Sequence, residues 1–414
     1  GFGHWDFDHL AIDDQYAFFP AAPTREPFYA LLQVAPDEGR RLVREICNHA
    51  TTAWRQLQRL SYEKDGTPIP FVMRFPWGRQ VFWGDFRRYV GSRGSFGPAC
   101  VNSALMALEL WGFNRIEAGD NVDDVLRGVL EGHKSVGVLQ VAAALSLHAQ
   151  QCSDVTLPIA TSQRLWHWDI HRFVQESSSA NLIGFTKPAD LPHAKAVQAS
   201  NQRDVRKVDI RSLATLMVLR GGELRASAAA AIRNFPNDLP FDYTQERRNE
   251  ARVADLRHTA ELWAEVGNLK NYKVEPTDDK SKLLVTHENP KAVGPEFDAM
   301  KQRNEELGRN FRLLNWAYSY FHDGVLKEQP STEEAVALAN ELDRDDLFDT
   351  GYDHVALDYQ RQSAVAAVAA IVLDKNLEEH LEWAIRICLR AAFTPEAPSE
   401  LFVRQSHLMH HPAL

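Results

Sequence analysis

The sequence predicts a mostly α protein, an irregular α-solenoid of HEAT-like stacked helix pairs with a small β-hairpin near residues 70–84. Three stretches carry that expectation. Between Phe96 and Leu147, apolar residues recur at helical spacing in three punctuated segments. Between Arg361 and Phe393 they do so in two segments, the first with a small-residue stripe of Ala364, Ala367, Val368 and Ile371. Between Pro70 and Trp83 the period falls to two. There Phe71, Met73 and Phe75 alternate with Val72 and Arg74 before a Pro-Trp-Gly-Arg turn.

Taken in order, residues 1–35 form a leader rich in aromatics and prolines, in which long helices are blocked and rings pack on a neighbouring surface. Pro36 to Leu60 reads as a helix with Leu42, Val43, Ile46, Ala50 and Trp54 on one face. After the hairpin, Gly91, Gly94 and Gly97 give a flexible connection. The first helix beyond it carries Val101, Ala104, Leu105, Leu108 and Trp111, with Pro98 suited to its first turn. The second opens on Asn121 as N-cap and stops near Gly132. The third, from Ser135, is apolar nearly all round and is expected to be buried.

The pattern loosens from Thr156 to Ser200 and tightens at Asp209, which caps a helix broken by Gly221-Gly222. A second helix follows from Ala226 to Phe235, then a long charged one from Asp242 to Leu269. Lys270 to Pro295 has linker composition, Phe297 to Tyr320 is helical, and Ser331 with Glu334 forms a capping box. This divides the chain into 1–95 (leader, helix and hairpin), 96–270 (helical array), 271–295 (linker or surface loop) and 296–414 (C-terminal helical repeats).

A formal net charge of −10 argues against a protein whose main task is coating nucleic acid. Four widely spaced cysteines without a CxxC pair fit reduced thiols in a cytoplasmic protein. No apolar run approaches the roughly 20 residues that span a bilayer, so no membrane partner is expected. The chain starts with Gly rather than Met, which is read as a piece of a longer polypeptide.

Chemistry is sparse. GxxxxGK[ST], GxGxxG, GxSxG and HExxH motifs are absent, so no cofactor-binding or metal-ligating residues are assigned and the catalytic residues are unknown. His167 and His171 stand at i and i+4 near Asp169, a spacing that binds zinc only with further ligands. Ser406, His407, His410 and His411 sit near the end of the chain. The basic run with Arg203, Arg206, Lys207 and Arg211 is the candidate contact surface for a phosphate-bearing or other partner.

The segments Pro27-Phe28-Tyr29-Ala30-Leu31-Leu32, Gly39 to Thr51, Ser103 to Glu109 and Ser135-Val136 resemble the helical region downstream of the NTPase module in large bacterial STAND-type ATPases of antiphage defence. The resemblance lies mainly in residues 1–150. It implies a helical-repeat recognition or scaffold region that senses a protein or nucleic-acid partner, a protein partner or the rest of the polypeptide being favoured. It also implies an oligomeric assembly, with ATP and magnesium held by another part of the polypeptide and no cofactor in this chain. The competing expectation is a stand-alone all-α hydrolase, metal-dependent, built on His133, His167 or Asp169.

Overall fold

A computed structural model describes residues 10, 12, 18–61, 66–93, 97–177, 185, 187–276, 283–288, 290, short helical pieces between 308 and 321, 330–343 and 357–393. The described chain is mostly helical with two antiparallel strand pairs. It forms two compact units, Gly1–Pro290 and Lys291–Leu414.

In the first unit, α1 (Phe28–Val34) and α2 (Pro36–Ser61) precede β1 (Phe71–Phe75) and β2 (Gly78–Phe82). The register runs from Phe71↔Phe82 to Phe75↔Gly78, with Pro76 and Trp77 as the connection. β1 is buried at every second residue, the alternation its sequence shows. Short α3 (Phe86–Val90) leads to α4 (Ala99–Glu117), α5 (Val122–Leu130) and α6 (Gly137–Ala149), the three helices expected between Phe96 and Leu147. Asn121 accepts from the Asp124 N–H at 3.1 Å and caps α5. Gly132, with φ +80°, allows the turn that leaves it.

α4 and α6 are apolar on most faces and form the centre of the unit. Leu105, Leu108, Leu139 and Leu145 are at most 1% exposed, so each contributes about 1.5–3 kcal/mol by leaving water. Their approach depends on Gly112, where a Cβ would sit 2.5 Å from Leu145 Cδ1.

Around this centre lie α7 (Leu157–Ala160), α8 (Gln163–Ser177), α9 (Leu191–Asn201), α10 (Arg211–Arg220), α11 (Leu224–Arg233) and α12 (Glu250–Ala264). A continuous apolar core runs from Leu10 to Ala260, with a smaller cluster of Ala21, Ala22, Ala99, Met106 and Val197 beside it in the sequence. The long helix expected from Asp242 to Leu269 is interrupted. A 3₁₀ turn occupies Thr244–Arg248, and Asn249 then accepts from the Arg252 N–H at 3.0 Å, starting α12 afresh. Within the linker-like 271–295 stretch, β3 (Tyr272–Pro276) pairs with β4 (Leu283–His287) in a second hairpin. The Tyr272 hydroxyl donates to the Val266 carbonyl at 2.8 Å and anchors it.

In the second unit, α13 (Thr332–Leu342) opens on the capping box. Ser331 Oγ accepts from the Glu334 N–H, and Glu334 Oε2 accepts from the Ser331 N–H at 2.9 Å. α14 (Leu357–Asp374) and α15 (Leu381–Phe393) pack together through Ala364, Val368 and Ile371 against Ala384, Ile387 and Ala391. Most of the helix expected at Phe297–Tyr320 and the residues Ser406 to His411 lie outside the described residues.

Candidate functional site

The basic run 203–211 occupies a 3₁₀ turn, Asp204–Lys207, and the start of α10. Arg206 points inward and is 3% exposed. Its guanidinium bonds Glu109 of α4 and lies 3.4 Å from Glu176 of α8. Arg93 joins the same two carboxylates at 3.1 and 2.9 Å. Arg172 holds Glu176 at 2.6 Å and Asp169 by a two-point contact of 2.6 and 3.0 Å. Tyr89 O–H and the Ile210 N–H donate to Asp169 at 2.6 and 2.7 Å. Three arginines thus meet three carboxylates in the buried interior, a neutral set.

The electrostatics follow from that balance. Burial raises the Glu176 carboxyl, but the charges of Arg206, Arg172 and Arg93 outweigh it and leave it below its usual range. Burial, then Asp169, pushes the Tyr89 phenol well up. The cluster acts as a clamp between α4, α8 and the 204–207 turn, with Tyr89 of α3 and the Ile210 N–H joined to it.

The other three predicted contact residues do not share one surface with Arg206. Arg203 lies over the Phe113 ring at 4.2 Å and bonds Glu117 at 2.6 Å. Arg211 grips Asp209 at 2.8 and 2.7 Å. Lys207 stands in solvent, paired with Asp204 at 2.7 Å. The acids that take Arg206 inward lie 97 and 30 residues away, a distance no spacing rule reads.

His167 and His171 do share a face of α8, but each is committed to an aromatic neighbour. His167 packs on Trp263 with ring centres 4.5 Å apart, His171 on Phe86 at 5.6 Å. Burial, then the Arg252 charge, lowers the His167 imidazole to about 3. His133 is lowered to about 3 chiefly by burial, and its N–H and carbonyl bond the Leu130 carbonyl and the Gln80 side chain. With Asp169 held by Arg172, the three residues read as a hydrolase set occupy three separate surroundings. Among the described residues no group of three His, Cys, Asp or Glu could hold a metal ion.

Two cavities among the described residues lie near these groups or the hairpin. One of about 30 Å³, bordered by Cys47, Thr51, Trp54, Arg88 and Asn102, has room for about one water. Burial pushes the Cys47 thiol there up to about 12, so it is no nucleophile near neutral pH. The other is an open groove of about 470 Å³ lined by Arg74, Phe75, Pro76, Asp154, Leu157, Pro158, Thr161 and Ala231. Sequence reasoning placed the hairpin here without reading a site on it.

The hairpin itself is fixed. Gln80 Nε2 donates to the carbonyls of Leu130 and His133, and Phe75 and Trp77 stack at 4.7 Å. Arg164 donates to the Ile69 carbonyl at 3.1 Å and pairs with Asp242 at 2.8 Å. Its outer face carries Val72 opposite Val81 and Arg74 opposite Arg79. Among the described residues neither Arg74 nor Arg79 meets a carboxylate.

No family model matches the chain, and no curated protein matches it. No helix among the described residues is long and apolar enough to cross a membrane.

Proposed function

We propose that this chain is a helical-repeat recognition and scaffold region of a larger bacterial NTPase, a cytoplasmic part of antiphage defence that senses a protein or nucleic-acid partner. The observation that carries the recognition half is the outer face of β1–β2 beside its groove. Two arginines directly opposed across a strand pair destabilise it, and a partner's negative charge relieves them. A second surface agrees. Ile385, Leu389 and Phe393 stand at i, i+4 and i+8 along α15 and are 50%, 53% and 82% exposed. Grouped exposed apolar side chains are what protein contacts use, so this stripe is read as the contact for oligomeric assembly.

The packed pairs α4–α6 and α14–α15 support the reading as an irregular solenoid. The NTPase and defence half rests on the resemblance over residues 1–150. ATP and magnesium then belong to a segment outside this sequence. The source polypeptide is expected to exceed 414 residues, and to hydrolyse ATP through a segment that this chain, purified alone, lacks. Intact mass and phosphate release check both. A source polypeptide of no more than these 414 residues, or ATP hydrolysis by the purified chain, overturns the proposal.

A further inference from the structure

The outer face of β1–β2 also constrains what the partner is made of. Phe75 and Gly78 flank a two-residue connection and exchange main-chain hydrogen bonds, so Met73 and Phe71 also bond inward to β2. The same parity turns the main-chain groups of β2 outward at Trp83. There its N–H donates to the Lys134 carbonyl at 2.7 Å and its carbonyl accepts from the Val136 N–H at 3.2 Å. On β1 that parity turns Val72 and Arg74 outward, away from β2.

Neighbouring chain pairs with the segment just before β1. Ile69 N–H donates to the Asp242 carbonyl and Thr244 N–H to the Thr67 carbonyl. Between Ile69 and the turn, the outward N–H and C=O groups of Val72 and Arg74 have no partner among the described residues. Val72 is 40% exposed. The groove begins beside this edge, at Arg74, with Leu157 and Pro158 supplying apolar lining.

We propose that the outer edge of β1 accepts an extended acidic peptide as a third strand. Its main chain pairs with Val72 and Arg74, and its carboxylates face Arg74 and Arg79. This deepens the recognition reading above and rests on it. The strand period places every second side chain of the guest beside Arg74 on the outer face and the alternate ones towards Leu157 and Pro158. The favoured guest therefore alternates acidic and apolar residues. A nucleic acid supplies the negative charge but has no row of N–H donors for the Val72 and Arg74 carbonyls.

The test is a titration of the full chain with a labelled, end-blocked six-residue peptide of alternating glutamate and valine, read by fluorescence anisotropy. Comparison probes are a lysine–valine peptide, the glutamate peptide methylated on alternate amide nitrogens, and a ten-nucleotide single-stranded DNA. Binding of the glutamate peptide is expected, with at least tenfold loss on N-methylation. A similar loss is expected in Val72→Pro, which removes the outward N–H at a strand edge where proline is tolerated. Arg74→Glu with Arg79→Glu is expected to exchange preference from the glutamate to the lysine peptide. Circular dichroism identifies a variant that fails to fold, and the N-methylated probe tests the same bond on the unaltered chain.

Equal binding of the methylated and unmethylated peptides overturns the proposal. So does binding of the DNA alone, or of no probe at millimolar concentration. None of these outcomes changes the length of the source polypeptide or its ATP hydrolysis, so the two readings fail separately.

Discussion

Arg206 and Lys207 are adjacent in sequence and opposite in fate. Arg206 is enclosed with Glu109 and Glu176, whereas Lys207 makes one solvent-exposed pair. Removing one member of a buried ion set leaves its partners charged and undercompensated, at a cost of about 3–5 kcal/mol. Arg206→Met is therefore expected to lose that much in urea unfolding, and Lys207→Ala less than about 0.5 kcal/mol. The sequence showed the basic character of the run but not which side chain turns inward, because the deciding carboxylates come from remote helices.

Three other groups carry large shifts that enter the response to acid. His133 and His167 are held neutral to about 3 from an ordinary 6.5. They favour the folded state above 6.5, and that stability is lost as pH falls towards 3, by up to about 1.4 kcal/mol per pH unit each. Asp242 works the other way. Burial, partly offset by Arg164, raises it from 3.8 to about 6, so its contribution is full below 3.8 and lost as pH rises through 6. Two histidines outweigh one aspartate between pH 6 and 4. The chain is expected to lose stability over that interval, and Asp242→Asn to lose it more steeply, as measured by urea midpoints at each pH. A shallower slope in Asp242→Asn contradicts this assignment.

At the scale of elements, turns and caps decide what was legible. The first hairpin was readable because Phe71, Met73 and Phe75 alternate and Pro76 and Gly78 punctuate them. The second was not, since Tyr272–Pro276 and Leu283–His287 are joined by a polar segment that gives the whole stretch a linker's composition. Similarly, Asn249 sits amid helix-forming charged residues, and only its bond to the Arg252 N–H marks a restart. Gly84 joins β2 to α3 at φ +143°, where a Cβ would fall 2.3 Å from Val136 Cγ2. Gly84→Ala combines backbone strain with overpacking and is expected to cost more than about 2 kcal/mol in thermal or urea unfolding.

Over the whole molecule, helical period revealed α4, α5, α6, α14 and α15, because each buries a stripe or an entire circumference, but not α7, α8 and α9, which lie where the pattern loosens between Thr156 and Ser200. The site was less legible, since it is made of main-chain groups left open on β1 and of an arginine pair set by register. No residue type announces an unpaired edge. The α15 stripe belongs to this scale too, as the contact proposed for other copies of the chain. Leu389→Ser with Phe393→Ser is expected to leave stability within about 0.5 kcal/mol, both positions being exposed, yet to lower self-association in sedimentation. Unchanged sedimentation would remove the stripe as an assembly contact.

The enclosed set of Arg93, Arg172, Arg206, Glu109, Glu176 and Asp169 bears on descent as well as on folding. Its charges cancel only as a group, so a single substitution strands an ion, whereas joint replacement by well-packed apolar residues can be neutral or stabilising. Inheritance of these positions should be all-or-none: kindred chains are expected to retain the six together or to have exchanged them together for hydrocarbon. That co-inheritance would trace kinship where overall similarity has faded.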